Sequence, residues 1–259
     1  MTLNKTLLFA TFLGGAALLL AGCSLQAPVS SDSSTVTERG QSASEVTVLP
    51  FNAGGFLASN VTPTFPAGHP NEVSVVAQGP LQLYTGGAVL AFAYRNNTGA
   101  AVTHVEFSAT ANLNDKLVET GSSDGAIPAQ IQPGEIGLAF IYFHEPGPMR
   151  VRDLRYSFTP ETSPVNSSPY NTAPLKVSDV TNDGNSIVGT AVNNTGAVLM
   201  GPFAAQAYCF NGHDLTIATA GSFADQDNAI AVDDQVSFTI ELNDRKCSSF
   251  AVGVSGYYQ

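Results

Sequence analysis

Hydrophobic and polar residues alternate with a two-residue period in several parts of the chain, which is typical of β-strands with one buried face. In residues 104–113 most apolar positions are separated by polar ones. The positions predicted to face the core there are Val105, Phe107, Ala109 and Ala111. Residues 235–242 repeat the pattern, with predicted core positions Val236, Phe238, Ile240 and Leu242. Residues 135–143 are apolar on both faces, which predicts a central strand covered on both sides.

Glycine and proline separate these predicted strands along the whole chain. The 24 glycines and 15 prolines are spread out and are not gathered in one tract. Because long runs of strong helix formers are few, this distribution favours many short strands joined by turns. The chain is also long enough for two sandwich-sized units. The predicted fold class is therefore all-β, with two tandem β-sandwich domains after a signal peptide and a disordered tether.

One phrase occurs twice: RNNTGAAV at residues 95–102 and VNNTGAVL at residues 192–199. A β-type stretch precedes each copy and another follows it. Asparagine tolerates a left-handed backbone and bonds nearby backbone groups, while glycine adopts positive φ without steric cost. The phrase therefore predicts the same exposed strand-to-strand turn in two related domains. The N-x-T pattern is also a glycosylation sequon, but turn chemistry is the favoured interpretation.

The order of the predicted elements also repeats, which indicates an internal duplication. Each copy of the phrase is followed by a strand, a turn and a further strand entered through residues 131–135 or 231–235. The predicted domains are residues 46–158 and 175–259. Residues 159–174 contain four prolines and predict an extended, stiff linker between them.

The N-terminal residues predict export. Lys5 precedes an unbroken stretch of apolar and small residues, 7–20, which is shorter than the roughly 20 residues that a membrane-spanning helix needs. A charged start, an apolar middle and small residues at the exit are typical of a secretory signal, here residues 1–22. Residues 24–45 are polar and aperiodic, so residues 23–45 are predicted to form a flexible tether that begins at Cys23.

The end of this signal resembles the bacterial lipobox. The four residues that carry the resemblance are Leu20, Ala21, Gly22 and Cys23. The resemblance implies cleavage before Cys23 and a diacylglyceryl thioether on that residue, which would anchor the protein in a membrane. Ser24 follows where aspartate would imply retention at an inner membrane, so the predicted location is the outer membrane or the cell surface. An ordinary signal peptide that happens to contain a cysteine is the alternative.

The remaining two cysteines, Cys209 and Cys247, predict a disulfide because an exported protein meets an oxidising environment. A metal site is the alternative, but His213 is the only histidine in that region. The net charge of −11 would repel polyanions, so no nucleic-acid partner is expected.

The arrangement of a strand, N-x-T-G, an alternating strand and a late PGE resembles FxLYD-type and related immunoglobulin-like domains of bacterial lipoproteins. The resemblance covers residues 79–158 and 175–258. Residues 111–115 and 208–212 occupy the place of the Leu-Tyr-Asp that names the family, and they depart from it. Since such domains carry no known catalytic machinery, the resemblance implies a module that faces the cell envelope.

No pattern in the sequence predicts catalysis, a metal or a cofactor. The four histidines are scattered, and His144-Glu145 is expected to be a solvated loop. Residues 225–234 are similar to the first half of a calcium loop but lack its glycine, so an acidic surface turn is the favoured interpretation. The weak candidates for ligand binding are the basic residues Arg150, Arg152 and Arg155.

The predicted function is that of a non-catalytic, lipid-anchored envelope protein that binds another envelope protein or acts as a spacer. The alternative is a binding module for a carbohydrate or another small ligand. An exposed, uninterrupted strand edge would favour the first. A deep pocket lined by aromatic residues such as Tyr156 or Tyr170 would favour the second.

Overall fold

The computed structural model describes residues 46–144, 149, 153–218 and 221–259. The predicted signal peptide, the tether 23–45 and the arginines at 150 and 152 lie outside these residues. The described part contains β-strands and no α-helix. Its strands are β1 Ala58–Ser59, β2 Val73–Gln78, β3 Gln82–Tyr84, β4 Gly87–Asn96, β5 Val102–Leu113, β6 Lys116–Ile127, β7 Gln130–Ile131, β8 Ile136–Phe143, β9 Arg155–Pro164, β10 Thr172–Asn182, β11 Ser186–Val192, β12 Leu199–Asn211, β13 Asp214–Ala218, β14 Ser222–Phe223, β15 Gln235–Glu241 and β16 Ser249–Tyr258.

The strands form two curled antiparallel sheets, one in each half of the chain. The first has the order β2-β4-β8-β6-β5-β9, with β3 beside β4 and β7 beside β5. The second has the order β13-β12-β16-β10-β11-β15, with β14 beside β12 and β1 beside β16. The all-β class and the division into two sheets are confirmed.

The predicted alternation matches the burial of the strands. In β5 the four predicted core residues belong to the apolar core of the first sheet, while Glu106 and Ser108 are exposed. In β15 and the residue after it, the four predicted positions lie in the core of the second sheet. Strand β8 pairs with β4 on one side and β6 on the other, so it is central as predicted.

The two sheets share a third apolar cluster, which the sequence analysis did not foresee. It joins residues from both halves: Phe51, Leu57, Ala91, Ala93, Ile127, Ile136, Leu138, Tyr208, Phe210, Leu215, Ala218 and Ala251. The cluster forms because β4 and β8 are apolar on both faces. One face of β8, with Ile141, fills the first sheet's own core, and the other, with Leu138, needs a partner outside that core. The described residues from 46 onward consequently cluster into one compact unit.

The strand order differs between the halves although the chain order repeats. In the first sheet, β6 pairs with both β8 and β5, so it joins the strands β2-β4-β8 to the strands β5-β9. In the second sheet, β10 pairs with both β11 and β16, so it joins the strands β13-β12-β16 to the strands β11-β15. The segment predicted as a linker, 159–174, is partly strand: β9 runs to Pro164 and β10 begins at Thr172, which leaves residues 165–171 between them.

The N-terminal segment, residues 46–72, contacts both sheets. Leu49 N donates to Gly134 O at 3.0 Å at the first sheet. Its strand β1 pairs with β16 of the second sheet, and Val177 N donates to Phe56 O at 3.1 Å. We call this segment the N-terminal strap, because it hydrogen-bonds to both halves.

A disulfide joins Cys209 in β12 to Cys247, as predicted, with a Cα–Cα distance of 5.0 Å. Both cysteines lie in the core of the second sheet. Peptide mapping of the exported protein without reductant should recover these two cysteines in one linked pair of peptides. Free thiols at both positions in a protein isolated from an oxidising compartment would contradict the prediction.

Candidate functional site

A groove of about 440 Å³ lies where the two sheets meet. Strands β5, β6 and β8 contribute to it from the first sheet, and β12, β14 and β16 from the second. Its polar side chains include His104, Glu106, Thr172, Gln206, Ser222 and Ser255, and its aromatic side chains are Phe140, Phe223 and Tyr257. This volume lies within the range of small-molecule sites, about 300–1,000 Å³.

The groove is bordered by irregular strands. The pairing of β5 with β9 shifts register between Thr103 and Glu106. The pairing of β6 with β8 shifts between Ser123 and Ala126, and that of β12 with β16 shifts between Met200 and Ala204. Such bulges bend a strand and redirect its side chains, and they are frequent next to binding sites.

His104 lies in the β5 bulge and has a left-handed backbone, with φ of 46°. Its Nε2 atom is 3.3 Å from Asn171 Oδ1. The Asn171 amide nitrogen donates to Asn166 Oδ1 and to Ser168 O, so Oδ1 is the acceptor and His104 Nε2 is the donor. In the neutral imidazole, Nδ1 is then left as an acceptor.

The aromatic residues of the groove are not those that the sequence analysis considered. Tyr156 packs half-buried against the core of the first sheet, and Tyr170 is 74% exposed outside the groove. Phe223 lines the groove and remains 66% exposed, which is uncommon for a phenylalanine. Sequence reasoning missed it because β14 has only two residues and shows no periodicity.

The predicted basic cluster is not brought to this groove. Arg150 and Arg152 lie outside the described residues, and Arg155 is exposed at the start of β9. Cys23 also lies outside the described residues. Within the described ranges, no group of three or more His, Cys, Asp or Glu side chains is arranged to hold a metal ion.

The acidic stretch 225–234 forms part of a turn in the second sheet. Asp234 Oδ2 accepts a hydrogen bond from Ala231 N at 2.9 Å, and Asp227 O accepts one from Gly201 N. These contacts support the interpretation of the stretch as an acidic turn.

A second, wider cavity of about 920 Å³ lies beside the disulfide. Hydrogen bonds from the backbone of Ser186 and Asn185 lower the pKa of Asp183, which lines it. Asn182, on the same wall, donates to Cys247 O at 2.6 Å. Because these side chains already stabilise the neighbouring turns, we assign them a structural role.

The two NNTG turns have matching geometry. Asn96 Nδ2 donates to Ala100 O at 2.8 Å, and Asn193 Nδ2 donates to Ala197 O at the same distance. In each turn the asparagine Oδ1 accepts from the backbone and the hydroxyl of the threonine two residues later. The turn interpretation is confirmed.

The predicted exposure of these turns is wrong for the first asparagine of each, because Asn96 and Asn193 are both 0% exposed. Each of them also bonds the segment that precedes β8 or β15, through Ile131 O of β7 at 3.0 Å in the first half and Ala231 O at 3.0 Å in the second. Positive φ occurs at Gly196, at 78°, as expected of the glycine, but not at Gly99. The buried amide therefore organises two loops at once.

No protein-family model matches the chain, and no curated protein matches it. The likeness to FxLYD-type domains therefore remains a resemblance in sequence pattern. Among the described residues, no helical segment has the length and apolar character needed to span a bilayer.

Proposed function

We propose that this protein is a non-catalytic, lipid-anchored component of a bacterial cell envelope, whose joined β-sheets present a rigid surface to another envelope protein. The observation that carries the proposal is the lipobox-like sequence Leu20-Ala21-Gly22-Cys23 after an apolar stretch. Lipid chains on Cys23 would hold the protein at a membrane, since two or more acyl chains anchor stably. The disulfide supports an oxidising compartment.

The edge of the second sheet supports a role in protein interaction. Strand β15 ends that sheet, pairs with β11 alone among the strands that the structure describes, and contains no proline over its seven residues. Such an edge offers backbone donors and acceptors to an added strand. One of its carbonyls, Gln235 O, already accepts from the Gln226 side chain at 3.0 Å. Strand β9, an edge strand of the first sheet, contains Pro160 and Pro164, which lack the donor that a ladder needs.

The anchor is tested by membrane fractionation of the Cys23→Ala variant in the native host. We expect the wild type in the membrane fraction and the variant outside it, because the variant has no thiol to acylate. The matched control is Ser24→Ala, which alters the neighbouring residue and should remain membrane-bound. Equal membrane retention of wild type and Cys23→Ala would contradict the anchor.

The partner is tested by cross-linking the anchored protein in intact cells, followed by recovery through a C-terminal tag. A protein recovered in stoichiometric amount supports the interaction role. Recovery of the protein alone would contradict that role.

A further inference from the structure

We infer that the groove between the two sheets binds a neutral oligosaccharide. The inference goes beyond the proposed function and does not depend on the lipid anchor, because it rests on groove residues of the described structure alone.

The groove is built by both halves of the chain. Its walls come from the first and second sheets, which the shared apolar cluster holds together. Three separate register shifts, in β5, β6 and β12, border it. These shifts bend the strands at the walls of the groove and redirect the side chains that line it.

His104 is held in a conformation that is costly for a residue with a side chain. Residues other than glycine adopt positive φ where the surroundings impose it, and histidine tolerates it better than most residue types. Here the β5 bulge and the bond to Asn171 impose the conformation. The groove thereby gains an imidazole whose Nδ1 can accept a hydrogen bond from a hydroxyl group.

The side chains of the groove define the ligand class. A pyranose ring has C–H faces that pack on aromatic rings and equatorial hydroxyls that exchange hydrogen bonds with carboxylates, amides and imidazoles. The groove supplies an aromatic surface in the exposed Phe223 and the half-buried Tyr257. It supplies polar groups in His104 and Glu106.

The charge of the groove selects against anions. Glu106 is exposed on its wall, and the chain carries a net charge of −11. An acidic sugar would be repelled by both. The ligand is therefore expected to be an uncharged sugar chain.

The test is a titration of the purified protein with cellotriose, maltotriose and tri-N-acetylchitotriose, followed by calorimetry. We expect at least one of the three to bind. Phe223→Ala should weaken that binding about tenfold or more, because it removes the stacking surface while changing a side chain that is 66% exposed. The matched control is Tyr170→Ala, an exposed aromatic residue outside the groove, which should bind as the wild type does. Absence of binding by all three sugars, or wild-type affinity in Phe223→Ala, would overturn the inference.

Two further binding measurements test the role of His104 and the role of charge. His104→Gly removes the imidazole and suits the positive φ, so the variant should keep its circular dichroism spectrum and lose affinity. Unchanged affinity would remove His104 from the site. Trigalacturonate should not bind the wild type, and binding tighter than that of every neutral trisaccharide would overturn the assignment to uncharged sugars.

Discussion

Replacing Asn193 by alanine is expected to lower the free energy of unfolding by about 3–4 kcal/mol. The side chain is 0% exposed, and its amide donates to Ala197 O and Ala231 O, at 2.8 and 3.0 Å. Its Oδ1 accepts from the backbone and hydroxyl of Thr195. Alanine removes these four hydrogen bonds, each of which contributes about 0.5–1.5 kcal/mol net. Urea denaturation followed by fluorescence or circular dichroism measures the change.

The neighbouring asparagine is the matched control. Asn194 has the same side chain in the same turn but is exposed. Asn194→Ala should change the free energy of unfolding by less than about 0.5 kcal/mol. Asn96→Ala should behave as Asn193→Ala does, since the bonds in the two turns correspond. Similar losses in Asn193→Ala and Asn194→Ala would contradict the buried role of the first asparagine.

Replacing Arg95 by methionine is expected to destabilise the protein by about 3–5 kcal/mol and to free the N-terminal strap for proteolysis. Arg95 is 2% exposed, and desolvation lowers its pKa. Its guanidinium donates to four carbonyl oxygens, three of them in the strap: Leu49, Phe65 and Pro66, with Gly134 as the fourth. Methionine fills much of the same volume but donates no hydrogen bond. The loss of stability in this variant therefore measures the contribution of the hydrogen bonds more than that of packing.

Limited proteolysis with mapping of the first cleavage site distinguishes this role from a general loss of stability. We expect the earliest cuts in Arg95→Met to fall within residues 46–72, under conditions where the wild type is not cut there. Arg155→Ala is the control, because Arg155 is an exposed arginine in the same sheet and should leave stability and cleavage unchanged. First cuts outside the strap in Arg95→Met would contradict the role of Arg95 as its anchor.

The sequence predicts the parts of the fold that local patterns determine. The alternation around Phe107 and Phe238 identifies the buried faces of β5 and β15, because side chains on a strand point alternately to its two faces. The repeated NNTG identifies two equivalent turns. The pair Cys209 and Cys247 is identified because no other cysteine remains after Cys23.

Features that depend on contacts distant in the chain were not predictable in this way. The burial of Asn96 depends on Ile131, 35 positions later, and an asparagine in a turn is ordinarily exposed. Arg95 and Val192 occupy equivalent places beside the two NNTG sequences, and the side chain of Arg95 donates hydrogen bonds to the strap. The apolar outer face of β8 indicated burial on both sides but did not identify the other sheet as the partner.

The groove lay beyond sequence analysis for the same reason. Its residues come from strands in both halves, from His104 to Tyr257, and no spacing in the chain relates them. His104 is an ordinary polar position in the alternating pattern of β5. Its positive φ follows from the bulge, which is set by the pairing of β5 with β9.

Mass spectrometry of the N-terminal peptide of the protein isolated from its native membranes tests the proposed anchoring most directly. We predict that this peptide begins at Cys23 and carries the added mass of a diacylglyceryl group on its sulfur. A peptide that begins beyond Cys23, or one that contains an unmodified Cys23, would contradict the proposed anchor.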